Sequence, residues 1–155
     1  MPHFKIIPSR PWHCGYIARR VRSEHRAAIV SLGFDLHEQI AIAYRETLAP
    51  RTWLRDGKIV AVGGVCGGPC EPSGLLWLAL SREAVAFPMA CVREAKRQIE
   101  QAMHTRHELT ANIVSGDKAA LRFALYLGFE YDSAAMGMDR RAVYMRYRRL
   151  AMEAA

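Results

Sequence analysis

The chain of 155 residues is 51% hydrophobic and 24% charged, and 22 Lys plus Arg against 15 Asp plus Glu leave a formal charge of +7. This is the composition of one globular domain, 1–155, long enough to bury a core; it excludes a disordered tail, a collagen-like rod and a small disulfide scaffold. No apolar run nears the ~20 residues that span a bilayer, and the opening Met1-Pro2-His3-Phe4-Lys5 has no apolar signal core, so a cytoplasmic location is expected.

Residues 4–7 read as a first strand. From Cys14 to Leu32, apolar residues fall at Ile17, Val21, Ala28, Ile29 and Leu32, a broken helical spacing with a basic outer face, and Gly33 can end that helix in the left-handed conformation. Leu36, Ile40, Tyr44 and Leu48 recur every four residues, which predicts a second helix ending before Pro50. The period then changes. Residues 51–55 and 58–65 flank Asp56-Gly57, a strong two-residue hairpin signal, because both turn positions need positive φ. Gly63 and Gly64 inside the second of these strands suggest a bulge or a close backbone approach. Residues 75–80 are a continuous apolar run, as expected for a central strand covered on both faces.

Pro88 fits the first turn of a long helix with Val92, Ala95, Ile99 and Met103 in one stripe and Arg93, Glu94, Lys96, Arg97 and Glu100 on the wet side. Residues 109–114 form another strand. Asp117 is a candidate N-cap for a helix over 118–127 that Gly128 closes. Residues 129–132 and 142–148 are two last strands, joined by a loop containing Gly137. The expected fold is a mixed α/β domain: a central sheet of about six to seven strands flanked by about four helices.

The positive charge is clustered at Arg19, Arg20, Arg22 and Arg26 and again at Arg140, Arg141, Arg146, Arg148 and Arg149. Such clusters suit nucleic acid or another anionic partner, and equally a domain kept soluble by self-repulsion. Cys14, Cys66, Cys70 and Cys91 read as reduced thiols. Cys66 and Cys70 bracket Gly67-Gly68-Pro69, and two sulfurs do not close a tetrahedral zinc site; no metal is expected.

The order of elements resembles the GNAT superfamily of N-acetyltransferases. Two segments carry the likeness. Asp56-Gly57-Lys58-Ile59-Val60-Ala61-Val62-Gly63-Gly64-Val65 is similar to the family's D-G-x-x-V-G hairpin. Asp117-Lys118-Ala119-Ala120-Leu121-Arg122-Phe123-Ala124-Leu125-Tyr126-Leu127-Gly128-Phe129 is similar to its N-x-x-A-x-x-x-Y-x-x-x-G-F helix, with Asp117 in place of Asn. The resemblance implies acetyl-CoA as cofactor, held in a V-shaped split between the fourth and fifth strands, where the pantetheine arm pairs like an extra strand. It assigns Leu78, Ala79 and Leu80 to that arm. It assigns Arg82, Ala86, Met89 and Ala90 to the pyrophosphate at the start of the Pro88 helix, and counts Asp117 among the cofactor-binding residues.

Two departures stand out. The family's Q/R-x-x-G-x-G/A turn is here Ser81 to Ala90, with no glycine. The family's Tyr, often the acid for the departing thiolate, falls on Ala124, and Tyr126 lies about 200° further round a helix at ~100° per residue. These departures, with Trp53, Trp77 and the R-F-A-x-x-L-G-F ending, are similar to a divergent GNAT-like group of phages and prophages. That likeness implies the alternative of a non-catalytic, even virion-associated, protein working through protein or nucleic-acid contacts.

Acetylation of an amine needs a base for the ammonium. Candidates by residue type are Glu38, with His37 and Glu46, on the second helix, and Glu71 before the central strand. Each is also an ordinary solvated charge. Cys91, in the first turn of a helix, is either a reactive thiol or a small buried apolar group. No G-x-S-x-G elbow, Walker loop or dinucleotide fingerprint occurs.

Overall fold

The computed structural model describes residues 3–68, 70–132 and 142–148. One seven-stranded sheet runs in the order β1-β2-β3-β4-β5-β7-β6. Its strands are β1 (Phe4–Pro8), β2 (Arg51–Arg55), β3 (Lys58–Cys66), β4 (Ser73–Leu80), β5 (Glu108–Val114), β6 (Glu130–Tyr131) and β7 (Ala142–Arg148). Every pairing is antiparallel except β4 with β5. That parallel pair is joined through helix α4 (Pro88–Met103), the crossover that parallel strands require.

Helices cover both faces. On one face α4 and α5 (Lys118–Leu127) pack over the sheet. Cys91, Val92, Ala95, Ile99 and Met103 of α4 and Ala124 and Leu127 of α5 share a core with Leu109 and Met145, both fully buried. On the other face lie α1 (Pro11–Ala18), α2 (Ser23–Ser31) and α3 (Leu36–Arg45). There Ile17 and Ala18, Leu36 and Ile40 meet Ile59, Val62 and Ala79. Burying an aliphatic side chain of this size contributes about 2 kcal/mol, so two stripes of them fix both helical layers to the sheet.

The local chemistry of the turns appears as read. Asp56 (φ 50°) and Gly57 (φ 80°) turn the β2–β3 hairpin. Gly33 (φ 81°) and Gly128 (φ 104°) end α2 and α5 in the left-handed region. The Asp117 carboxylate accepts from Ala120 N at 3.2 Å. The glycines of β3 make the close approach rather than the bulge. The register shifts between Trp53 and Leu54, so Val60 is the extra residue, whereas a Cβ on Gly63 would lie 2.6 Å from the Trp77 carbonyl oxygen.

Several expectations are corrected. The basic helix expected from Cys14 to Leu32 is two helices, because Val21 leaves the helical path to bridge Ser81 at the end of β4. Arg22 N donates to Leu80 O at 3.3 Å and Arg82 N to Arg20 O at 2.9 Å, so sheet-like bonds replace the helical ones. Among the described residues the flanking helices are therefore five, with a 3-10 helix (Arg82–Ala86) before α4. Helix α3 stops at Arg45, and Leu48, expected on its apolar stripe, is 76% exposed. Glu94, expected on the wet side of α4, is buried; Arg97 NH2 at 2.7 Å and Gln98 Nε2 at 2.8 Å donate to its carboxylate.

Much of the arginine excess is engaged within the fold. Arg20 stacks over Tyr16 with its guanidinium carbon 3.8 Å from the ring centre. Arg26 NH2 donates to Ala18 O, Arg146 pairs with Asp132 at 3.5 Å, and Arg148 with Glu108 at 3.2 Å. Arg140, Arg141, Arg149 and the Gly137 loop lie outside the described residues.

Candidate functional site

Strands β4 and β5 pair only at one end. Ser73, Gly74 and Leu75 lie beside Glu108, Leu109 and Thr110; beyond that the register stops. Residues 76–80 continue along β3, and residues 111–114 continue along β7. The two strands part, each keeping a partner strand on its outer side; on the inner side of β4 the described residues have no strand partner beyond Leu75, and at the far end the Leu80 carbonyl accepts from Arg22 N–H. Inner backbone donors and acceptors are thereby left for a third chain-like group to pair with.

A cavity of about 890 Å³ fills the parting. It passes through the sheet, because its wall draws on both cores: Ala95, Ala111 and Ala124 from the α4–α5 side, and Ile40, Trp77 and Ala79 from the α1–α3 side. Ligand cavities commonly run from ~300 to ~1,000 Å³ and are mostly apolar with a few polar groups. Gly63 and Gly64 are part of the wall, and side chains there would collide with β4 or with Thr47.

Three of the cavity's polar residues meet beyond the parted ends of the strands. Arg22, at the α1–α2 break, is tied to the end of β4; Asp117 follows β5 directly. Their side chains meet at 3.1 Å, only 11% and 5% exposed, so an ion pair spans the open end of the split. His25, in the first turn of α2, lines the cavity with them. Burial lowers its pKa from the ordinary histidine value; the Asp117 carboxylate opposes that and the Arg22 and Arg26 guanidiniums add to it. The imidazole is thus neutral near pH 7 and able to accept a proton.

Leu78, Ala79, Leu80 and Asp117 line the cavity. Arg82 is exposed, with no side-chain partner among the described residues, and stands in the 3-10 helix with Ala86. Met89 is 51% exposed in the first turn of α4, beside the partly buried Ala90. This turn is built without glycine by bonding its own amides: Ala84 N to Ser81 O, Phe87 N to Ala84 O, and Cys91 N to Phe87 O. Pro88 has no N–H, so the amides of Met89 and Ala90 remain as the orphans of the helix start. Glu38 is exposed on α3 and Glu71 is exposed over Gly67 and Gly68; the cavity wall includes neither.

Cys91 is 2% exposed and burial pushes its thiol up to about 11, so it is not a nucleophile at neutral pH. Ala124 lines the cavity, while Tyr126 is 60% exposed beneath the Lys96 ammonium, 5.4 Å from its ring centre. The four cysteines are free. Among the described residues no three His, Cys, Asp or Glu cluster to hold a metal ion, and no helix is long and apolar enough to cross a membrane.

Sequence reading missed His25 and Arg22. His25 is not among the candidates read from the sequence, and Arg22 enters there only as one of a cluster of arginines. The signal for His25 was its spacing: four residues after Val21 and four before Ile29, it falls on the apolar line of the helix.

The chain matches no known family by sequence and no curated protein. Solved structures match it closely in shape. An acetyltransferase of Agrobacterium tumefaciens superposes with a TM-score of 0.69 at 17% identity, over 94% of this chain and 91% of that one. The spermidine N-acetyltransferase of Vibrio cholerae, solved with CoA and spermine, gives 0.65 at 7% identity over 94% and 95%. The aminoglycoside acetyltransferase AAC(6')-Ib, solved with coenzyme A, gives 0.66 at 16% identity over 99% of both chains, and another structure of it holds ribostamycin as well. At these identities the likeness is one of fold: the chain has the fold of the GNAT acetyltransferases.

Proposed function

We propose that this chain is an N-acetyltransferase that takes its acetyl group from acetyl-CoA and delivers it to a primary amine, with His25 as the base. The carrying observation is the parted β4–β5 pair with a cavity through the sheet. Two half-paired strands are a receptor for an extended amide chain, and the pantetheine arm is one. Leu78, Ala79 and Leu80 supply one edge, and residues 111–114 the other.

The start of α4 offers the anion site: the free amides of Met89 and Ala90, the positive end of a 16-residue helix, and the unpaired Arg82 guanidinium. Ala86 and Ala90 are small enough to let a pyrophosphate approach where the family has glycine. The cofactor supplies an acetyl thioester; the chain's residues do the rest. His25, neutral at pH 7, takes the proton of the acceptor ammonium. The new C–N bond forms as the C–S bond breaks, the imidazolium gives its proton to the departing sulfur, and the amine nitrogen's second proton passes to the freed imidazole and from there to water. With Ala124 at the usual Tyr position, α5 offers no acid at that point of the wall, so the proton held on His25 is the one at hand.

Asp117 and Arg22 position the base. Their ion pair fixes the separation of the strand ends, and the Asp117 carboxylate keeps His25 from being repelled by the surrounding arginines. Isothermal titration with acetyl-CoA tests the reading. Micromolar binding, weakened about tenfold in R82A through loss of a charge-assisted contact, is expected. No heat at high micromolar ligand would overturn it.

A further inference from the structure

The half of the cavity on the α1–α3 side has a wall unlike one built for a polycation. Ile29, Leu36, Ile40, Trp77 and Ala79 belong both to the core of that face and to the cavity wall. Trp77 is held in place, its indole N–H donating to Thr47 Oγ1 at 2.7 Å. Among the described residues the one carboxylate in the whole wall is Asp117. It is already committed twice, to the Arg22 guanidinium at 3.1 Å and to the Ala120 amide at 3.2 Å. The other charged wall residues, Arg22, Arg51 and Arg106, are cations. Glu46 is not in that wall; it lines an adjoining shallow depression beside Arg45, while Glu38 and Glu71 face solvent. A polyamine or aminoglycoside carries several ammonium groups, and each one buried needs a carboxylate or an equivalent set of acceptors. This wall has no carboxylate to spare, and its side-chain amides, Gln39, Gln98, Gln101 and Asn112, are neutral.

We infer that the acceptor is a primary monoamine on an apolar, aromatic or aliphatic body, which lies against Ile40 and Trp77 with its nitrogen toward His25. This rests on the acetyltransferase reading above. A single ammonium that gives its proton to a neutral imidazole enters the wall uncharged, so no carboxylate is needed to hold it. The body gains by leaving water for an aliphatic and indole surface, about 25 cal/mol for each Å² of apolar area removed. The solved structures with spermine or ribostamycin bound show that the same fold accepts polycations in other chains; the difference assigned here lies in the wall, not in the fold.

The experiment follows release of the CoA thiol with four acceptors at pH 7.5: phenethylamine, octylamine, spermine and tobramycin. Titration with acetyl-CoA is run first, so failure to bind cofactor would be seen separately, as a failure of the underlying reading. With a cofactor-binding protein, kcat/KM is expected to be at least tenfold higher for the two monoamines than for either polycation. Gln39 lines the cavity from α3 and is partly exposed, so Gln39→Glu adds a carboxylate without a change of shape. That variant is expected to raise kcat/KM for spermine at least fivefold and to leave acetyl-CoA affinity unchanged. A polycation preferred over both monoamines would overturn the inference, as would turnover of none of the four by a protein that binds acetyl-CoA.

Discussion

The two ends of β4 are in opposite situations. At Ser73–Gly74–Leu75 the strand has a partner on each side, β3 and β5. At residues 76–80 its one partner strand among the described residues is β3, and the other edge faces the cavity until Leu80, whose carbonyl accepts from Arg22 N–H. The closed end is held by ladder hydrogen bonds. The open end is held by two longer-range devices, the Val21–Ser81 bridge and the Arg22–Asp117 ion pair. An opening in a sheet is a standing cost in unpaired backbone. It persists here because the strand ends are fastened at a fixed distance by side chains rather than by each other.

Changes that close the opening should have the largest effect. Gly63→Val places methyl groups against the Trp77 carbonyl, which a Cβ alone would already approach to 2.6 Å. A loss of about 3 kcal/mol in urea unfolding is expected, together with loss of cofactor binding. Arg22→Ala leaves the Asp117 carboxylate buried without its guanidinium, at about 3 kcal/mol. Asp117→Asn keeps a cap acceptor for Ala120 and should cost less. The double variant should cost less than the sum of the two, since the pair is one interaction.

His25→Gln is expected to fold and to lower kcat/KM about 100-fold at pH 7, an ordinary share for a general base. The wild-type acid limb, set by a pKa below the usual 6.5, should vanish from its pH profile. The smallest effect is on stability. Burial depresses the folded pKa of His25, and of His13, below 6.5, so below that pH the unfolded chain binds more protons than the folded one. Stability present above pH 6.5 should fall as pH drops through the folded values, and more gently in His25→Gln.

The contrast between the ends of β4 also marks where sequence reading stopped. The Asp56-Gly57 turn, the caps at Asp117 and Gly128 and the stripe of α4 were legible, because each is decided by backbone chemistry or spacing within a few residues. The break between α1 and α2 was not, because Val21 leaves the helix for a partner sixty positions away in sequence. The apolar run at 75–80 was read as a strand covered on both faces. Leu76, Trp77 and Leu78 are only half-buried, since part of their surroundings is cavity. His25 was hidden by composition: in a stretch so rich in arginine, one more basic residue drew no notice, although its spacing placed it on the inner line. The resemblance to acetyltransferases named the split between the right two strands; what spans its open end became visible only in the structure.

Hydrogen–deuterium exchange on addition of acetyl-CoA tests the central claim, that the free inner edges of β4 and β5 are a receptor for the cofactor's amide chain. The account predicts slowed exchange at residues 76–80 and 111–114, with residues 73–75, already paired, unchanged. Protection absent from both inner edges at saturating acetyl-CoA would contradict it.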